Sequence, residues 1–184
     1  HTQGSPENAR VLAEQGLRYV ITIRDPRDVL ISSYWYALAN NKIHPRHQVA
    51  KTMSLQEFIT HRLQSPSFER GWIGWVRRWQ ENRDPASSII LRYEDLLDDP
   101  VGWISRALDV LEVPQTPDLA ASIVQKNSFK RMTGGRERGE EKVGDFVRKG
   151  VAGEWKEVFT TRQKEMYARL GDDLMMQYGY ESTL

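Results

Sequence analysis

The chain has 184 residues, 39% hydrophobic and 28% charged, with a formal net charge of +1 and no cysteine. That suits one folded domain with a sizeable core, gives no global field for nucleic acid or acidic membranes, and excludes disulfides, thiol nucleophiles and Cys-based zinc sites. No apolar run approaches the ~20 residues that span a bilayer, so a soluble, cytoplasmic protein is expected. The opening HTQGSPENAR shows neither a start Met nor a signal-peptide pattern, so the chain is expected to begin within a longer protein.

Residues 18–23 (RYVITI) are β-branched and aromatic over a short run and predict a buried strand. Asp25 then offers an N-cap, Pro26 a first helical residue, and Asp28 a carboxylate three residues after the cap. Leu30, Tyr34, Ala37 and Leu38 continue on one face of that helix. Residues 40–53, polar and containing Pro45, are expected as a loop. Helices are predicted over 54–64 and 72–82, the second with Trp72, Trp75, Val76 and Trp79 on one stripe. A second strand is predicted over 88–93 (SIILRY), ending in the acidic run EDLLDDP. Helices follow at 101–112, 117–126 and 161–178, the last stopping near Gly179. Between them, residues 134–153 are rich in Gly and charge. A segment of that kind is expected to be mobile and functional, its like charges holding it open.

Strands separated by helices imply an α/β fold, a three-layer parallel sheet flanked by helices. Two strands are few for such a sheet, so its first part is expected to precede residue 1. In open parallel sheets ligands bind beyond the carboxyl ends of the strands, where a helix start favours phosphate. Arg24 would stand at that mouth with a fork-shaped cation. Ser32, two helical turns beyond Asp25, returns its hydroxyl to the same face. The competing reading pairs Arg24 with Asp25 or Asp28 and leaves Ser32 as filler. Tyr93 and Phe129 are likewise open to a core role, and Arg148-Lys149 to that of a solvated loop. His44-Pro45-Arg46-His47 has a loose metal-like spacing, but no carboxylate cluster supports it, and His61 reads as a surface residue. No metal is implied.

Four motifs then occur in order: Arg24-Asp25-Pro26-Arg27-Asp28-Val29 with Ser32; Tyr93-Glu94-Asp95-Leu96 with Asp99-Pro100; Asn127-Ser128-Phe129-Lys130-Arg131-Met132; and Arg148-Lys149-Gly150 with Gly153-Glu154-Trp155-Lys156. Together they resemble the sulfotransferases that use 3′-phosphoadenosine 5′-phosphosulfate (PAPS), with Glu154 where the family carries Asp. The resemblance implies a single sulfotransferase domain over 1–184 with a P-loop-like fold. It implies transfer of a sulfuryl group from PAPS to a hydroxyl or amine of a small-molecule acceptor, without metal or nucleic acid. On that reading Arg24, Ser32, Arg148, Lys149 and the Gly150 backbone hold the 3′-phosphate. Tyr93 and Ser128 line the adenosine pocket, and Phe129 stacks on adenine. His1 stands where the family places its general base. The family's Gly- and Lys-bearing loop for the 5′-phosphosulfate is not in this sequence and is expected before His1.

Lys156, Thr160, Thr161 and Glu165 resemble the family's dimerisation segment, with Thr161 in place of Val; the alternative is an N-cap for the last helix. Two rival functions remain. One is a non-catalytic module that keeps only the 3′-phosphonucleotide site. The other is an ATP-using P-loop kinase, which would need an Asp-bearing Mg2+ site that the sequence does not offer.

Overall fold

The computed structural model describes residues 4–39, 47–145 and 147–184; His1 and His44 lie outside them. In chain order its elements are α1 (Pro6–Glu14), β1 (Tyr19–Ile23), α2 (Pro26–Ala39), α3 (His47–Lys51), α4 (Leu55–Gln64), α5 (Pro66–Phe68), a π-helical turn (Glu69–Ile73), α6 (Gly74–Asn82), β2 (Ser88–Arg92), α7 (Tyr93–Asp98), α8 (Pro100–Val110), α9 (Leu119–Lys126), α10 (Phe129–Met132), α11 (Trp155–Val158) and α12 (Thr161–Gln177). They fall into two compact units. The first comprises the chain up to Arg24 together with Trp75–Glu137; the second comprises Asp25–Gly74 together with Arg138–Leu184.

The first unit is built on the two predicted strands, which pair in parallel from Tyr19↔Ser88 to Ile23↔Arg92. Ile21, Ile23 and Leu91 are buried on the sheet, as short apolar runs in a parallel pair require. Helix α1 goes beyond the predicted elements. Its sequence is polar, but Ser5 caps it, accepting from the Asn8 N–H, and Pro6 occupies the first turn. On α6, Trp79 and Val76 are buried. The Trp79 ring lies 5.4 Å from Tyr19 and 6.4 Å from Trp75, so the predicted Trp stripe is largely packing. Helix α7 begins directly after β2, where the Arg92 guanidinium donates to Asp95, Nε at 2.9 Å.

The second unit gathers α2, α4 and α12. Leu30, Ile31, Tyr34 and Ala37 form the buried face of α2, and Tyr34 stacks near Phe58 of α4 at 5.4 Å. The expected loop over 40–53 contains a short helix in its described part. Helix α3 forms because Ala50 buries against Tyr34, Ala37 and Phe58, with Val49 packed alongside. The helix predicted over 72–82 is divided, its start taken up by the π-helical turn. Gly171 explains the packing there: a Cβ on it would stand 2.9 Å from Ile73 Cδ1 and 3.3 Å from the Tyr167 hydroxyl. Only glycine lets α12 approach that turn so closely.

Candidate functional site

In the first unit, Arg24 and Tyr93 each follow the last register pair of the sheet, Ile23↔Arg92. Parallel pairing therefore brings both to the carboxyl end of the strands, the place expected for a ligand. The Arg24 guanidinium lies 4.6 Å from the Tyr93 ring centroid, a cation–π arrangement. Ser128 precedes α10 at the cap position, but its side chain makes no capping bond. Phe129 is buried, and Arg136 sits 5.4 Å from its ring centroid. The Thr133 hydroxyl donates to the Phe129 carbonyl at 2.7 Å, tightening this short turn.

In the second unit, Asp25 does cap α2: its Oδ1 accepts from the Arg27 N–H at 2.9 Å. The same carboxylate grips the Arg27 guanidinium, with Nε at 2.9 Å and Nη2 at 2.7 Å. Asp25 thus serves Arg27, a partner that neither reading of Arg24 had given it. Arg27 is fully buried. Its Nη1 donates to the Thr183 hydroxyl at 2.8 Å and to the Glu181 carbonyl at 3.1 Å, and its guanidinium lies 3.7 Å from the Trp155 ring centroid. Asp172 completes the set, accepting from the Thr183 N–H at 2.8 Å and from the Thr183 hydroxyl. Burial, the largest single influence, would lower the Arg27 pKa, yet the bonds to Asp25 together with the charges of Asp25, Tyr167 and Asp172 raise it above the ordinary value. The Tyr167 hydroxyl, inside this network, is raised far above the usual phenol range, first by burial and then by Asp25.

Asp28 also reaches far along the chain. It accepts from the Gly153 N–H at 2.7 Å and from the Trp155 N–H at 3.0 Å. Ser32 is half-buried on α2. The Gly-rich segment carries no helix or strand in its described part, but it is not held open by like charges. Arg148 is 12% exposed; it donates to Glu141 at 2.5 Å and to Glu154, while Lys149 lies 3.4 Å from Glu154. The expected unscreened charges are thus neutralised by the acidic residues interleaved with them. The segment also folds back on itself, with the Gly139 N–H donating to the Lys149 carbonyl at 2.9 Å and the Lys142 N–H to the Arg148 carbonyl at 3.2 Å.

Sequence reasoning gave no task to Arg27, Asp172 or Thr183, and none to Asp28 beyond the helix start and the competing pairing with Arg24. The only signal was the density of charge in RDPRD against a strongly apolar helix face. His47 Nδ1 donates to the Ala37 carbonyl at 2.9 Å, and His61 is exposed on α4, both ordinary structural positions. At the last helix the N-cap alternative holds for Thr160, whose side chain accepts from the Gln163 N–H. Lys156 pairs with Glu181 at 2.6 Å.

Comparison with known proteins places this geometry. A family model described as the sulfotransferase domain matches residues 8–179. The 3-beta-hydroxysteroid sulfotransferase of Cavia porcellus is 27% identical over 169 residues, covering 88% of this chain and 57% of the relative. Sulfotransferase 1A1 of Rattus norvegicus is 28% identical over 166 residues, covering 85% of this chain and 55% of the relative. The chain therefore spans little more than half the length of these curated relatives. Among solved structures, a mouse sulfotransferase complexed with PAP, the desulfo nucleotide, is similar with a TM-score of 0.71 at 20% identity, over 92% of this chain and 65% of that one. Retinol dehydratase in complex with androsterone and inactive cofactor PAP gives 0.60 at 22% identity, over 91% and 48%. These likenesses establish the α/β fold around the parallel strand pair. The family match runs through all four motifs without a break, and on that ground the chain belongs to the sulfotransferase domain family.

Proposed function

We propose that this chain forms one sulfotransferase domain over residues 1–184 and moves a sulfuryl group from PAPS to a hydroxyl or amine of a small-molecule acceptor, releasing PAP. The carrying observation is the family match from residue 8 to residue 179, supported by PAP in both solved relatives. The residues present fit such a nucleotide. Arg24, Arg148, Lys149, the Ser32 hydroxyl and the Gly150 amide are the donors that a 3′-phosphate requires. Tyr93 and Phe129 with Ser128 offer rings and a hydroxyl to adenosine.

In the transfer, the acceptor atom bonds to sulfur, the bond from sulfur to the bridging phosphate oxygen breaks, and the acceptor proton passes to a base. His1 is the base in this reading, histidine being the side chain best suited in general to proton transfer near neutrality. The cations named here hold the 3′-phosphate and so orient the nucleotide for the departure of its 5′-phosphate. A cytoplasmic, soluble setting is part of this reading; among the described residues no helix is long and apolar enough to cross a membrane. Lys156, Thr160, Thr161 and Glu165 are proposed to join two copies; charge reversal at Glu165 should then shift sedimentation toward monomer.

Thermal unfolding with PAP, AMP, ATP and NADPH tests the nucleotide assignment. PAP should raise Tm most, since stabilisation follows RT ln(1 + [L]/Kd). Equal shifts with AMP, which lacks the 3′-phosphate, would sink it.

A further inference from the structure

Asp28 is the third residue of α2 and 1% exposed. A carboxylate at that position ordinarily reaches back to the start of its own helix. Here each oxygen instead takes a distant backbone amide, Oδ2 that of Gly153 and Oδ1 that of Trp155, 125 and 127 residues further on. Both amides lie just past Arg148-Lys149-Gly150. A carboxylate with two N–H donors, out of water, makes charge-assisted bonds stronger than neutral ones.

The backbone is shaped for this contact. Gly153 has φ +81°, a conformation that side chains disfavour, yet a Cβ there would meet only Lys156 Cε at 3.8 Å. Glycine is therefore needed at this position for its dihedral and not for space. The turn it permits aims two amides at one carboxylate. Beside them the Trp155 indole covers the Arg27 guanidinium at 3.7 Å. The first turn of α2 and the end of the Gly-rich segment are thus joined by two hydrogen bonds and a cation–π contact. Ser32 rides on that same helix, one and a bit turns further along.

We propose that Asp28 is a positioning residue. It seats Gly153 and Trp155 on α2 and thereby sets where Arg148, Lys149 and Gly150 stand relative to Ser32. The inference rests on the 3′-phosphate reading above. A carboxylate that merely stabilised the fold would affect all nucleotides alike, whereas one that places the phosphate-binding segment affects only those carrying the 3′-phosphate.

Hydrogen exchange of the 184-residue protein and titration with PAP and AMP separate these cases. In the ligand-free protein the Gly153 and Trp155 amides should be protected. Asp28→Asn, which keeps the shape but puts an N–H against an N–H, should speed their exchange and weaken PAP about tenfold, the scale of one charge-assisted bond. AMP affinity should stay within about twofold under the same change, since no bond to it is lost. Asp28→Glu, which restores the charge, should recover part of both effects. Unprotected amides in the unaltered protein would overturn the proposal without any variant, even if Asp28→Asn fails to fold. So would faster exchange with PAP affinity unchanged, or equal weakening of PAP and AMP. An unaltered protein that does not prefer PAP to AMP overturns the 3′-phosphate reading itself, and amide protection then shows separately whether Asp28 seats the segment.

Discussion

The two units hold their candidate ligand residues by different physical means. In the unit built on β1 and β2, Arg24 and Tyr93 are placed by register: each follows a residue of the pair Ile23↔Arg92. The ladder is backbone, and the side chains beneath it, Ile21, Ile23 and Leu91, are plain apolar filling. In the unit built on α2 and α12, placement depends on buried charge. Arg27 is 0% exposed and is held by Asp25, Thr183 and the Glu181 carbonyl, with Asp172 behind Thr183. Apolar filling tolerates exchange for a residue of similar volume. A buried ion network does not, because removing one member strands the others.

The largest expected effect follows from that contrast. Arg27→Ala removes the cation from between buried carboxylates and should cost about 3–5 kcal/mol of stability. Ile23→Val trims one methyl from the apolar filling of the sheet and should cost about 0.5–1.5 kcal/mol. Urea unfolding of the two variants side by side checks the pair. Equal losses would erase the distinction between the units.

Nucleotide binding should single out Arg24 in the first unit and Ser32 in the second. Arg24→Ala should weaken PAP by about 1.5–3 kcal/mol, the value of a hydrogen bond to a charged group, while leaving AMP nearly unchanged. Ser32→Ala should show the same selectivity at about 0.5–1.5 kcal/mol, as suits a neutral donor. Calorimetric titration with both nucleotides reads this directly. A loss of equal size for AMP would remove Arg24 from the 3′-phosphate site.

The same contrast explains what the sequence revealed. YVITI and SIILR are short apolar runs flanked by polar residues, and each became a strand within a residue or so of its expected limits. Asp25-Pro26 marked the start of α2 because capping is local chemistry. The ion network was illegible for the opposite reason: Arg27 and Thr183 are 156 residues apart, and no periodicity links them. Asp28 read as a helix-start carboxylate because nothing in its neighbourhood names Gly153. Arg148 looked exposed because Glu141 and Glu154 pair with it only once the segment has folded back. Short helices such as α3 escaped because their stability comes from Ala50 meeting Phe58, a tertiary contact rather than a propensity.

A smaller effect concerns α12. Thr160 accepts from the Gln163 N–H at 3.3 Å, and the Gln163 side chain returns to the Thr160 N–H at 3.0 Å. Gln163 also donates to the Gln56 carbonyl at 2.9 Å and the Thr60 hydroxyl at 3.0 Å, so the cap ties α12 to α4. Thr160→Ala should cost about 0.5–2 kcal/mol. Thermal unfolding would show it, and a loss below that range would mean that the α4 contacts hold Gln163 without the cap.

The smallest effect compares one exposed carboxylate from each unit. Glu57 closes the capping box of α4, and its pKa is lowered by the Ser54 backbone bond and then by the Ser54 hydroxyl. Asp84 closes the turn before β2, lowered by the Ala86 N–H, then by the Ser87 hydroxyl, and further by the charges of Arg18 and Arg83. In both, the folded-state pKa lies below the unfolded one. The stabilisation is therefore complete above the ordinary values, 4.5 for Glu57 and 3.8 for Asp84, and disappears as pH falls through the folded-state value. Glu57→Gln and Asp84→Asn should lower Tm at neutral pH, and the deficit should close on acidification. Salt then distinguishes the two units. Hydrogen bonds alone depress Glu57, so its deficit should persist at about 1 M NaCl, where the Debye length is about 3 Å. Part of the Asp84 depression is the field of two arginines, so its deficit should shrink under the same salt. If both deficits respond alike, the Arg18 and Arg83 charges contribute nothing at Asp84, and its turn is held by the Ala86 and Ser87 bonds alone.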